Sequence, residues 1–141
     1  MLPPTLKKIE CNAFAGCTNL KSIVLPELLE FIGGGCFACS GLESVTLHPM
    51  LKAVAESTFQ GCRSLKHAWF AEGLETIGHE AFFDSGLESV ELPHSLRTVA
   101  KGAFAKCENL RAVVLSEGLE VLGDSVYPPE NMFSKRKIGV F

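Results

Sequence analysis

Residues 9–26 read IECNAFAGCTNLKSIVLP, and residues 77–93 read IGHEAFFDSGLESVELP. The apolar positions of the first stretch are Ile9, Phe14, Cys17, Leu20, Ile23 and Leu25. They follow no 3.6-residue period over the 10–12 residues a stable helix needs. Their last part, Ile23-x-Leu25, alternates with period two, which suits a short strand with one face buried. The same order of residue types recurs along the whole chain, and a recurrence at a fixed period of 20–50 residues marks a stacked-repeat architecture.

The spacing is regular. Phenylalanines fall at Phe14, Phe37, Phe59, Phe82 and Phe104, with steps of 23, 22, 23 and 22. One leucine series runs Leu6, Leu29, Leu51, Leu74, Leu96 and Leu119, and a second runs Leu20, Leu42, Leu65, Leu87 and Leu110. One coil therefore reads L-x-x-I-x-x-x-x-F-x-x-C-x-x-L-x-x-V-x-L, from Leu6 to Leu25 in the first copy and Leu96 to Leu115 in the fifth. A sixth begins at Leu119 and Leu122 and places Tyr127 in the phenylalanine slot, after which Pro128-Pro129 ends the pattern. Each coil can bury its apolar face only against its neighbours, so the coils stack into a solenoid with parallel strands. Five V-x-L strands about 4.8 Å apart make a sheet roughly 20–25 Å across. The A-F-x-x-C stretch on the opposite wall is expected to form a single helical or 3-10 turn. Residues 1–127 are read as the solenoid, with about five full coils plus partial terminal ones, and 128–141 as a non-repeat tail or cap. That cap would fold back through Tyr127, Met132 and Phe133.

A two-coil period lies inside the one-coil period. Coils one, three and five turn through Cys17, Cys62 and Cys107, whereas coils two and four turn one residue sooner, through Ser40-Gly41 and Ser85-Gly86. Glycine there suggests a corner with positive φ, which other residues adopt at a cost. Charge alternates in step, along Lys7, Glu30, Lys52, Glu75, Arg97 and Glu120, and again along Lys21, Glu43, Lys66, Glu88 and Arg111. Stacking makes these residues lateral neighbours of opposite sign, worth about 0.2–1 kcal/mol per pair, so both rows read as register-setting ladders.

The L-x-x-I-x-x-x-A-F-x-x-C joined to L-x-x-V-x-L-P in residues 9–26 and 77–93 resembles the BspA-type leucine-rich repeat family. The resemblance covers about Leu2 to Tyr127. It implies a right-handed leucine-rich-repeat solenoid with short parallel strands on the concave face, turns or 3-10 helices on the other wall and few long helices. It also implies protein recognition, in roles that include adhesion and host contact, at the cell surface or in secreted proteins if the chain is a fragment, and otherwise in the cytoplasm.

Composition narrows the function classes. The 141 residues carry 13 basic and 16 acidic side chains, mixed along the chain, for a formal net charge of −3. There is no basic stripe to track a phosphate backbone, so nucleic acid is not an expected partner. No window reaches the roughly 18 apolar residues of a membrane span. Met1-Leu2-Pro3-Pro4 lacks the basic start and apolar core of a signal peptide. The six cysteines are too sparse for a disulfide scaffold. Cys17, Cys62 and Cys107 sit in one core-facing slot two coils apart, about 10 Å, beyond disulfide reach. Cys36 and Cys39 form a lone C-x-x-C outside any βαβ context, which is weak support for redox or zinc chemistry. A contact of Cys39 with Cys17 or Cys62 on a neighbouring coil stays open. Gly33-Gly34-Gly35 lacks the Lys-Ser/Thr of a phosphate loop and reads as a coil corner. The histidines His48, His67, His79 and His94 show no metal-ligand spacing and converge with no Ser/His/Asp set. No catalytic residue, metal or cofactor is assigned.

The outward positions of the main sheet remain: Ser22, Val24, Ser44, Thr46, His67, Trp69, Ser89, Glu91, Ala112 and Val114. Trp69, the sole tryptophan, lies in the middle coil among small residues, as a binding hot spot does. The expected site is therefore Trp69 with His67, Thr46, Glu91, Val24 and Val114, recognising a protein of unknown identity. The competing reading makes Trp69 a cover for its neighbours or a self-contact, and the chain a structural segment of a longer surface or adhesive array. Uncapped solenoid ends would then self-associate or join further coils. An enzyme ranks third.

Overall fold

The computed structural model describes residues 1–126 and 137–140. Within them the chain winds as a parallel β-solenoid without helices. Two columns of strands run along it. The narrow column is built from two-residue strands: β1 (Lys8–Ile9), β2 (Phe31–Ile32), β4 (Ala53–Val54), β6 (Thr76–Ile77), β8 (Thr98–Val99) and β10 (Val121–Leu122). The broad column holds β3 (Ser44–Leu47), β5 (His67–Phe70), β7 (Ser89–Glu91), β9 (Ala112–Leu115) and β11 (Lys137–Val140). All pairings are parallel, and those within the repeat join equivalent slots, such as Thr46 with Trp69 and Ile77 with Val99. This register follows from the period: a one-residue slip would turn every buried side chain outward.

Period-two alternation holds along the broad column. Val45, Leu47, Val90, Leu92 and Val113 are buried, while Thr46, Trp69 and Glu91 are exposed. The phenylalanine slot forms a continuous stack, with ring centroids 5.3, 5.5, 5.1 and 5.4 Å apart from Phe14 through Phe37, Phe59 and Phe82 to Phe104. The last four are fully buried, and Phe14 is only partly covered. Such contacts add to the burial of aromatic area that dominates a core.

The structure departs from the sequence reading in three places. First, the phenylalanine wall is a chain of turns, one of the two forms the family resemblance implies, and not the helical or 3-10 turn read from the A-F-x-x-C stretch. Two residues per coil are left-handed, Asn12 and Gly16 in coil one and Glu80 and Asp84 in coil four. They send alternate N–H groups in opposite directions. Ala13, Ala15 and Cys17 donate three residues back within the coil, while Asn12, Phe14 and Gly16 donate to Gly34, Cys36 and Ala38 of the next. A helix would keep every bond inside its own coil, and the wall instead ties neighbours together.

Second, Gly41 and Gly86 do not have positive φ. Their reason is close approach: a Cβ at Gly41 would collide with the Thr18 carbonyl oxygen, and one at Gly86 with that of Arg63. Gly33, in the triple glycine, likewise lies against the backbone of Cys11.

Third, the broad column is not one five-stranded sheet. Ser22–Leu25 of coil one forms no strand, although Glu43 N–H donates to the Lys21 carbonyl. The ladder also stops between β5 and β7, giving a β3–β5 pair and a β7–β9–β11 sheet. Proline accounts for that break. Ala71 donates its N–H to Leu47 of the preceding coil, and the equivalent residue one coil later is Pro93, which has no N–H to give. The cap expected through Tyr127, Met132 and Phe133 lies outside the described residues.

Candidate functional site

The break at Pro93 falls beside Trp69 and opens a groove there. Ala68, Trp69, Phe70, Glu72, Glu91, Leu92, Pro93 and His94 line about 190 Å³ between the third and fourth coils. Trp69 is 55% exposed, although alternation alone would leave any side chain at its slot facing out. The His67 ring stacks on the indole with centroids 5.8 Å apart and planes 26° from parallel. Trp69 is thus held from one side and open on another. The floor is fixed by Phe70, whose ring meets Phe82 edge-on at 5.8 Å.

Glu72 completes the groove. Its carboxylate accepts the backbone N–H of His94 at 2.9 Å and of Ser95 at 3.0 Å, one coil on. Those donors, His94 first, hold its pKa below the ordinary glutamate range. Ser95 answers by donating its hydroxyl to the Leu74 carbonyl at 2.7 Å and accepting the Gly73 N–H at 2.8 Å. The corner beside Trp69 is therefore a closed polar network, and the Glu91 carboxylate stands at the groove without a hydrogen bond or ion pair among the described residues.

Of the six residues singled out from sequence, the structure brings four together. Thr46 is paired with Trp69 across β3 and β5, His67 stacks on it, and Glu91 faces it across the groove. Val114 lines a neighbouring hollow of about 300 Å³ that shares Glu91 and His94 with the first. Val24 is 81% exposed but lies two coils away from Trp69, in an end hollow with Met1, Leu2, Phe14, Leu20 and Ile23. Glu72, Pro93 and His94 were not in the sequence-derived set. Pro93 carried the signal: a proline where coils two, three and five have His48, Ala71 and Ser116, each with an N–H, marks a gap in a sheet.

The other candidates have structural explanations. Cys62 donates its S–H to the Phe37 carbonyl at 3.0 Å and touches Ser40 Oγ at 3.5 Å. Cys107 repeats this with Phe82 at 3.0 Å and Ser85 at 3.2 Å. Burial raises the pKa of Cys62 and pushes that of Cys36 to about 11. All six cysteines are free thiols, Cys11 and Cys39 exposed. Among the described residues no three His, Cys, Asp or Glu side chains form a group that could hold a metal ion.

The charge rows are partly closed. Lys7–Glu30, Lys66–Glu88 and Arg97–Glu120 approach to 3.2, 3.8 and 3.9 Å. Arg97 also donates to the His94 and Gly118 carbonyls, both at 3.0 Å. All these groups are well exposed, so each pair is worth little on its own. Among the described residues no helix is long and apolar enough to cross a membrane.

Solved structures share this architecture. A leucine-rich repeat protein of T. pallidum superposes with TM-score 0.71 at 27% identity, over 87% of this chain and 64% of its own. The pneumococcal vaccine antigen PcpA gives 0.65 at 25% identity, over 96% and 43%. A leucine-rich repeat protein from Bacteroides ovatus gives 0.57 at 20%, over 99% and 48%, a likeness of fold alone. The chain thus spans between about two fifths and two thirds of the length of these proteins. No curated protein matches it in sequence. The pattern of the BspA type leucine rich repeat region matches in six copies, over residues 1–111 and 35–135, and the chain belongs to that family.

Proposed function

We propose that the chain is a non-enzymatic protein-binding module that recognises its partner on the concave face of the broad strand column, centred on Trp69. The observation that carries this is the half-exposed indole at the mouth of a groove, paired with Thr46 on one side and facing Glu91 on the other. A large aromatic left in water costs free energy that a partner's apolar surface recovers, and such residues dominate interface energetics. A rigid repeat scaffold holds it in place before binding, which lowers the ordering cost of association. Placement outside the cell is supported by the family and by the likeness to a vaccine antigen.

Capture from the native source should compare the wild type with Trp69→Ala and Lys7→Ala, both first shown to be folded. Loss of a specific protein with Trp69→Ala alone is the expected result. Identical recoveries from all three remove the face as the site.

A second reading, packing within a longer adhesive array or end-to-end association of copies, has its own observation. Phe14 is the partly covered member of the phenylalanine stack, and the end hollow beside it, of about 420 Å³, is lined mainly by Met1, Leu2, Leu20, Ile23 and Val24. Concentration-dependent mass in sedimentation, abolished by Val24→Glu, supports that reading and an invariant monomer removes self-association.

A further inference from the structure

We propose that the groove between the third and fourth coils seats a basic side chain of the partner protein, an arginine or lysine, on the Trp69 indole with Glu91 as its counter-ion. This rests on the reading of the Trp69 face as a protein-binding site and names the chemistry it selects. Three observations converge. The groove has the volume of about one long side chain, roughly 190 Å³, and is too small for a folded element. Its lining holds two carboxylates, Glu72 and Glu91, and no lysine or arginine. Glu72 is committed to the His94 and Ser95 N–H groups, whereas the Glu91 carboxylate has no ion pair or hydrogen bond among the described residues.

The groove therefore offers an aromatic face and an uncommitted negative charge side by side. A cation over an indole is attracted by the ring's quadrupole, and the carboxylate adds a charge-assisted hydrogen bond. An acidic segment meets repulsion from two carboxylates, and a neutral one leaves Glu91 unanswered. His67, stacked behind the indole, fixes its orientation. The ladder cations nearby are directed elsewhere: Lys66 toward Glu88, and Arg97 toward Glu120 and two corner carbonyls.

Trp69 is the only tryptophan, so its emission reports this groove directly. The full chain is titrated with three blocked peptides of sequence GRRG, GQQG and GEEG, with N-acetyltryptophanamide as the collisional-quenching control. The expected result is a saturable change with GRRG alone, weakened roughly tenfold by Glu91→Gln and weakened by added salt. Glu91→Gln is close to isosteric, and its far-UV spectrum and melting curve establish that it folds. Equal titration by GRRG and GQQG, no response to GRRG, or an unchanged GRRG affinity in Glu91→Gln each overturn the proposal. So does a saturable response to a neutral oligosaccharide with none to GRRG. If GRRG fails while Trp69→Ala still loses the captured partner, the binding face stands and only its cation preference falls.

Discussion

Replacing Gly86 separates two explanations of the short corner. A Cβ there would overlap the Arg63 carbonyl oxygen and lie 3.0 Å from its carbon and 3.3 Å from the Leu65 oxygen. These are backbone atoms of the preceding coil, so no rotamer change relieves the clash. Coil four must move away from coil three, stretching the 3.1 Å bond from Gly86 N–H to the Cys62 carbonyl. Overpacking costs about 1–3 kcal/mol and the weakened hydrogen bond about 1 kcal/mol, for a total near 2–4 kcal/mol. Asparagine should be no better than alanine, because its advantage is confined to positive φ.

Gly16 is the control. Its φ is +72° with nothing within 4 Å of a Cβ. The equivalent slot elsewhere holds Cys39, Asp84 and Lys106, all at positive φ. Gly16→Ala should cost about 1 kcal/mol or less, the left-handed penalty offset by reduced unfolded-state entropy. Gly16→Asn should be close to neutral. Urea denaturation followed by circular dichroism, with the slope compared between variants, measures all four substitutions. The reasoning is refuted if Gly86→Asn is as stable as wild type, or if Gly16→Ala loses as much as Gly86→Ala.

Phe59→Ala removes a fully buried ring stacked on both sides, at 5.5 and 5.1 Å. It should cost about 3–5 kcal/mol. Phe14→Ala, with one stacking neighbour and an open face, should cost less than half of that in the same denaturation assay. Native alkylation at pH 8 should label Cys11 and Cys39 rapidly and Cys17 slowly. Cys36, Cys62 and Cys107 should stay protected until denaturant is added, since burial and a thiol pKa pushed to about 11 at Cys36 remove the reactive thiolate; peptide mass mapping reads the pattern. Lys66→Glu sets an acid between Glu43 and Glu88 and should destabilise by about 0.5–1 kcal/mol at low salt. The loss should shrink in 1 M salt, and a loss independent of salt would point to packing by the lysine stem instead.

The repeat was legible because a solenoid converts spacing directly into contact. Steps of 22 and 23 place Phe14, Phe37 and Phe59 in one stack and Thr46 beside Trp69, with no long-range folding choice left to infer. Alternation also put His67, Trp69 and Glu91 on the outer face. The turns around phenylalanine were less legible, since Cys39, Glu80 and Lys106 at positive φ are not residues whose propensity announces that conformation. Their backbone is set by the inter-coil bonds they allow, a tertiary effect. The groove was missed for a related reason. It depends on a donor absent at Pro93 and on the reach of Glu72 to the next coil, and each needs two coils to be considered together. Gly41 shows the same limit: sequence marks a glycine, and only the neighbouring coil shows whether shape or φ requires it.

The pairing of Ser40 with Cys62 and Ser85 with Cys107 bears on how such a chain can grow or shrink. Excising coil two alone would leave Cys17 against Cys62, Lys7 against Lys52 and Lys21 against Lys66. Excising coils two and three would bring Cys17 to Ser85, Lys7 to Glu75 and Lys21 to Glu88, each a junction of the kind already present. The length whose removal preserves these junctions is therefore 45 residues, not 22 or 23, and arrays built on this interface should differ in length by even numbers of coils.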